Sequence, residues 1–138
     1  MKKLNVIIVY DNKEENLLMC KREKEPYKGK YNMVGGKVEP NENELDAAYR
    51  ELEEETGITS KDIFLTHLMN LNYMMSDIEL QVYVGKLNKE VTLVEEVNKL
   101  YWLDKDENFF DKSKFAGEGN IGHMIEQINC YKDKLLGV

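Results

Sequence analysis

Three glutamates, Glu51, Glu54 and Glu55, lie at positions i, i+3 and i+4 of a stretch, Glu44 to Thr56, that holds neither Gly nor Pro. At about 100° per residue a helix gathers them into one sector roughly 100° wide. Carboxylates so placed can share a hard divalent cation, which takes oxygen ligands and keeps waters for a phosphate to displace. A run of acids is more commonly a solvated helix face. Against that reading, like charges at i and i+4 disfavour a helix by a few tenths of a kcal/mol, and no cation follows four residues after Glu51 or Glu55. A bound cation reverses the penalty. Leu45, Ala48, Tyr49 and Leu52 occupy another sector, the one to bury, while Asp46 and Glu53 face solvent.

The spacing around the helix is more specific than the charge. Gly36, five residues, Glu42, seven residues and then Arg50-Glu51-Leu52-Glu53-Glu54-Glu55-Thr56-Gly57-Ile58 fixes seven residue types and two aliphatic positions. At average residue usage this arises by chance on the order of once in ten million chains of such length. It resembles the signature of the Nudix hydrolase family at every fixed position. The resemblance implies an α/β fold, an αβα sandwich with a mixed β-sheet between helices, in a single domain over residues 1–138 with the box at 36–58. It implies a loop-helix-loop whose Glu51, Glu54 and Glu55 bind Mg²⁺ or Mn²⁺, with the carbonyl of Gly36 as a further ligand and Gly35 serving the same bend. Arg50 is expected to orient Glu51 through a charge-assisted hydrogen bond, and Glu42 to brace the loop. The implied reaction is attack of water on a phosphorus of a diphosphate bridge. Its base is either Glu51 or an acid of a later loop, Glu95 or Glu96. Glu96, six residues before Trp102, is the expected extra ligand or base.

The segment Gly29 to Val38 resembles the branch of the family that hydrolyses oxidised purine nucleoside triphosphates such as 8-oxo-dGTP. There an asparagine at the position of Asn32 hydrogen-bonds the base, and an amide offers a purine edge both donor and acceptor. Asn120 is a second base-reading candidate, or a plain N-cap of the last helix. Arg22 and Lys21 are candidates for the triphosphate oxygens or ordinary surface charges, and Gly35 and Lys37 belong with the substrate-contacting segment. Tyr31, Phe109 and Phe115 are stacking surfaces or, more commonly, core. The adjacent aspartates that read the base in the animal enzymes are absent, and Tyr73 falls near the place of a tyrosine in dinucleoside polyphosphate hydrolases. ADP-ribose, dinucleoside polyphosphates and nucleotide sugars are therefore alternative substrates, and a non-catalytic nucleotide-binding module is the rival reading.

These residues need a scaffold, and the periodicity supplies one. Leu4 to Tyr10 and Leu17 to Cys20 read as paired strands, with short strand and loop over Gly29 to Gly36. The helix from Glu44 to Thr56 stops at Gly57. Leu65, Met69, Leu71 and Tyr73 alternate, as do Ile78, Leu80, Val82 and Val84, so two half-buried strands are expected about a turn at Met75 to Asp77, and another at Leu100 to Leu103. Ile121, Met124, Ile125, Ile128 and Leu135 have helical spacing behind Asn120 as cap. The chain of 138 residues, 42% hydrophobic and 33% charged, suits one globular domain. Its net charge of −7 disfavours a long nucleic acid as partner. A small nucleotide is the expected partner, with no membrane segment, a cytoplasmic location and either a monomer or a homodimer. Cys20 and Cys130 form no Cys-x-x-Cys pair and are expected to be buried thiols.

Overall fold

The structure, a computed structural model, describes residues 1–95 and 97–137. In chain order its elements are β1 (Lys2–Tyr10), β2 (Asn16–Lys21), β3 (Tyr31–Asn32), α1 (Glu44–Thr56), β4 (Thr66–Tyr73), a 3-10 turn (Met74–Ser76), β5 (Ile78–Lys86), β6 (Leu100–Asp104), α2 (Asn120–Cys130) and α3 (Lys132–Leu136). The order strands, helix, strands, helix is the one the periodicity indicates. Ile7, Ile8, Val9 and Tyr10 are all buried, as in a strand covered on both faces. β1 accordingly runs inside the sheet, parallel to β5 and antiparallel to β2. The sheet order is β3-β2-β1-β5-β4, with β6 paired to β2.

One face of this mixed sheet packs Ile8, Tyr10, Val82 and Val84 against Ile121, Met124, Ile125 and Ile128 of α2. The other packs Ile7, Val9, Leu18 and Tyr83 against Ala48 and Leu52 of α1, with Ile58 just beyond the helix. The architecture is the expected αβα sandwich. Each large aliphatic side chain fully buried in it contributes about 1.5–3 kcal/mol.

Several local expectations are corrected. β5 is buried on both faces from Gln81 to Gly85, because β1 and β4 flank it and a helix covers each side. The alternation in β4 is broken by a bulge between His67 and Met69. Leu65 packs on the α1 face, whereas Leu68, Met69 and Leu71 pack on the α2 face, since an extra residue flips every later side chain. Leu45 is exposed, and Ala47 takes its place in the core. The last helix is not continuous: Tyr131 leaves helical geometry at φ −129°, ψ 30°, and the separate α3 returns Leu135 and Leu136 to the α2-side core. Asn120 is not the N-cap. Gly119 caps α2 at φ 88°, a conformation glycine adopts freely, and Asn120 is the first helical residue. Cys20 is buried but Cys130 is exposed. Trp102 is only partly buried, against the α1-side core.

Candidate active site

The loop-helix-loop is pinned at both helix ends. Asn43 accepts the Asp46 amide at 3.1 Å as N-cap, and Gly57 closes the helix at φ 80° with its amide on the Glu53 carbonyl at 2.9 Å. The buried face, Ala47, Ala48, Leu52 and Thr56, fixes the helix rotation and so turns Glu51 and Glu55 toward the sheet end. The two glycines before the helix do different work. Gly35, at φ 151°, lies so close to the Asn5 carbonyl that any side chain would collide with backbone. Gly36 lies against the Glu51 carboxylate, where a Cβ would occupy the acid's place.

Arg50 is the hub of the acidic face. Its Nε and Nη2 donate to Glu42 at 2.7 and 3.0 Å, and Nη2 also reaches the Lys37 carbonyl at 3.0 Å. Its Nη1 donates to Glu51 at 3.0 Å and to Glu54 at 3.2 and 3.3 Å. A planar guanidinium can hold several carboxylates at fixed angles, which a lysine cannot. The Arg50 hydrogen bonds draw the Glu42 carboxyl below its usual range and strengthen the hold of Arg50 on its own proton. Glu55 turns inward instead. Burial pushes its carboxyl up to about 7, a contact from the Gly35 main chain opposes the shift, and the charges of Glu51 and Glu54 add to it.

Three carboxylates thus gather beside the Gly36 main chain, one of them half-buried, and all these ligand atoms are hard oxygens, so the residues fit a divalent cation. Glu51, Glu54, Glu55 and the Gly36 main chain would hold it. Among the described residues no three acidic, His or Cys side chains already surround a single point. Glu54 leans outward to Arg50, and the Gly36 carbonyl accepts the Asn5 amide at 2.8 Å, which leaves one lone pair for a ligand.

Gly36 and Glu55 line a cavity of about 560 Å³. Met33, Leu80, Ile121 and Met124 supply an apolar wall, and Arg22, Asn32, Gly35 and Asn120 also line it. The Asn32 side-chain Oδ1 accepts the Met33 main-chain amide at 2.8 Å. The Arg22 Nε donates to the Pro26 carbonyl at 2.7 Å, and the Asn120 amide donates to the Tyr73 hydroxyl. Lys37 is not brought here. It is exposed and borders a separate depression with Lys2, Lys3, Glu39 and Glu42. Phe109 and Phe115 are core, and Tyr31 is half-buried between Phe115 and Tyr101, so none of the three lines the cavity. Glu95 is exposed and accepts the Leu100 amide at 3.1 Å, and Glu96 lies outside the described residues. Asn5, Tyr27, Asn98 and Glu118 line the cavity without having been singled out from sequence. Only Asn5 carried a signal, a polar residue inside an apolar strand. The other three sit in loops whose path no periodicity records.

The NUDIX domain model matches residues 1–122. The chain belongs to the Nudix family. Its fold is shared with an Ap4A hydrolase of C. elegans, 17% identical, with 96% of this chain and 98% of that one covered and a TM-score of 0.75. A MutT protein from Methanosarcina mazei Go1 is 22% identical over 96% of each chain, with a TM-score of 0.69. The NUDIX domain of Shewanella oneidensis NrtR, in complex with ADP ribose, is 14% identical over 92% of this chain and 85% of that one, with a TM-score of 0.70. As a Nudix hydrolase the protein is an enzyme of nucleotide diphosphate derivatives. Among the described residues no helix is long and apolar enough to cross a membrane.

Proposed function

We propose that this Nudix enzyme hydrolyses a diphosphate bridge of a nucleoside triphosphate, releasing the nucleoside monophosphate and pyrophosphate, with 8-oxo-dGTP or a related oxidised purine nucleotide as substrate. The observation that carries the reading is that one cavity is lined both by the box residues Gly36 and Glu55 and by Asn32, Met33, Leu80, Ile121 and Met124. An apolar wall with asparagine amides beside it suits a flat base, and the acids of the cavity suit the phosphates together with Mg²⁺ or Mn²⁺. Asn32 and Asn120 are the base readers and Arg22 the phosphate contact. Lys37, outside the cavity, drops from that group.

Glu51, Glu54, Glu55 and the Gly36 main chain would hold the ion. When bound, it supplies Lewis-acid stabilisation of charge on the phosphate and lowers the pKa of a bound water. The protein's own part is positional. Arg50 holds Glu51 at a fixed angle, Glu42 holds Arg50, and the apolar wall excludes water from the base. Glu96 is the proposed base for the attacking water, with Glu51 as the alternative. Glu96→Gln at full activity and metal affinity refutes the first assignment.

The test is Mg²⁺-dependent product release across 8-oxo-dGTP, the ordinary triphosphates, ADP-ribose, a dinucleoside polyphosphate and a nucleotide sugar. Preference for the oxidised purine, weakened by Asn32→Ala, is the expected result. Preference for a dinucleoside polyphosphate would favour the second reading, which rests on Tyr73 at the cavity wall in contact with Asn120. No turnover of any member would refute both and favour a nucleotide-binding module.

A further inference from the structure

Two carboxamides are buried in the sheet directly under the box. Asn5 in β1 and Gln81 in β5 are 2% and 1% exposed, and they are register partners across the parallel β1–β5 ladder. Register neighbours project to the same sheet face, about 4.8 Å apart, and here that is the α1 face, shared with Ile7, Val9 and Tyr83.

Each amide uses one end on the box and leaves the other end over. Asn5 grips Gly36 twice: its main-chain N–H donates to the Gly36 carbonyl at 2.8 Å, and its Oδ1 accepts the Gly36 amide at 2.9 Å. The Gln81 Nε2 donates to Glu44, the first residue of α1, and to Glu79 at 2.9 Å. The remaining groups are Asn5 Nδ2, a donor, and Gln81 Oε1, an acceptor. Both are buried, and neither has a partner among the described residues. Buried polar groups are satisfied in the great majority of cases, so a leftover donor and a leftover acceptor on adjacent register partners point to each other.

We propose that Asn5 Nδ2 is linked to Gln81 Oε1 through one buried water, closing a clamp Gly36–Asn5–Gln81–Glu44 that sets the box loop and, through it, the place of Glu51. The clamp ties both ends of the segment from Gly36 to Glu44. Gly36 is the residue against which the Glu51 carboxylate rests. Asn5 and Gln81 are thus positioning residues, and this role rests on the metal-dependent hydrolysis proposed above. Their hydrophobic neighbours Ile7 and Val9 would pack an apolar side chain readily. An amide at both positions therefore answers a geometric need of the loop rather than a packing need of the sheet.

The test combines kinetics with a measurement that needs no turnover. Asn5→Leu and Gln81→Met are expected to lower kcat roughly ten- to hundredfold, as an ångström of misplacement does, with KM changed less than about threefold. The double variant should lose little more than the worse single one, because either change breaks the same chain. In the wild type, the Asn5 side-chain amide protons should exchange slowly with solvent, and Gln81→Met should shift their resonances and speed their exchange. Unchanged kcat in both variants, additive losses, or an Asn5 amide indifferent to Gln81→Met would overturn the clamp. A wild-type protein that hydrolyses no nucleotide refutes the proposed function instead, and the amide exchange still decides the clamp. If the variants fail to fold, slow or fast exchange in the wild type decides it alone.

Discussion

Alanine at Gly36 should disarm the enzyme without unfolding it, and alanine one residue earlier should lower its stability. A Cβ at Gly36 would meet the Glu51 carboxylate, with Oε1 at 2.7 Å, whereas ordinary contact begins near about 3.4 Å. The carboxyl is the far end of a flexible side chain, so it retreats by about 1 Å and the fold yields. That retreat lengthens its 3.0 Å bond to Arg50 beyond hydrogen-bond range and carries it off the Gly36 main chain. A misplacement of this size costs on the order of a hundredfold in turnover. The backbone at Gly36 is not left-handed, and removing glycine from the unfolded chain returns about 0.4–1 kcal/mol, so Tm should stay within about 3 °C. At Gly35 the obstacle is the Asn5 carbonyl, which is backbone, and φ is 151°. Strain of about 1–3 kcal/mol and a Tm lower by about 4–10 °C are expected there. Thermal melts and Mg²⁺-dependent nucleotide hydrolysis on the two variants make the comparison. Gly36→Ala with wild-type turnover, or losing activity only together with its fold, would refute the reasoning.

Glu54→Gln and Glu55→Gln should each cut turnover by about two orders of magnitude with Tm held within a few degrees, since a metal-bound carboxylate contributes mainly in the transition state; an active Glu54→Gln enzyme argues against the ligand set. Thiol titration at pH 8 should find one accessible cysteine, Cys130, and a second only after unfolding. The reason is that burial pushes Cys20 up to about 11, so at pH 8 it is a protonated, inaccessible thiol, and the thiolate that reacts would appear only as pH climbs toward 11. Two equally fast thiols in the native protein would contradict that burial. Leu52→Ala, at a fully buried position under the box helix, should cost about 3 kcal/mol and lower Tm by roughly 10 °C, read by calorimetry.

The box helix was legible to the residue because its information is local: helix formers from Glu44 to Thr56, a glycine stop, and acids at helical spacing. The sandwich was legible from the change of period along the chain. What failed depended on partners distant in sequence. The bulge before Met69 answers to β5, and the break at Tyr131 lets Leu135 and Leu136 reach a core that no window around them contains. Asn120 had the chemistry of a cap, yet Gly119 already supplies the turn, and the amide is occupied by Tyr73, 47 residues away. Lys37 failed differently. Its neighbours Gly35 and Gly36 border the cavity, but the chain turns at the glycines and carries the lysine outside.

The two faces of the sheet divide the labour of the site. The α1 face fixes the acids through Arg50, Glu42 and the close approach of Gly36, which Asn5 of β1 holds in turn. The α2 face supplies the cavity wall through Ile121 and Met124, residues of another helix. Changes on the α2 side can therefore reshape the pocket for a different base while the hydrolytic end stays as it is. Under the proposed function, the choice of substrate rests with Asn32, Met33, Tyr73 and Asn120, which line the cavity, rather than with the arginine-held glutamates of the box.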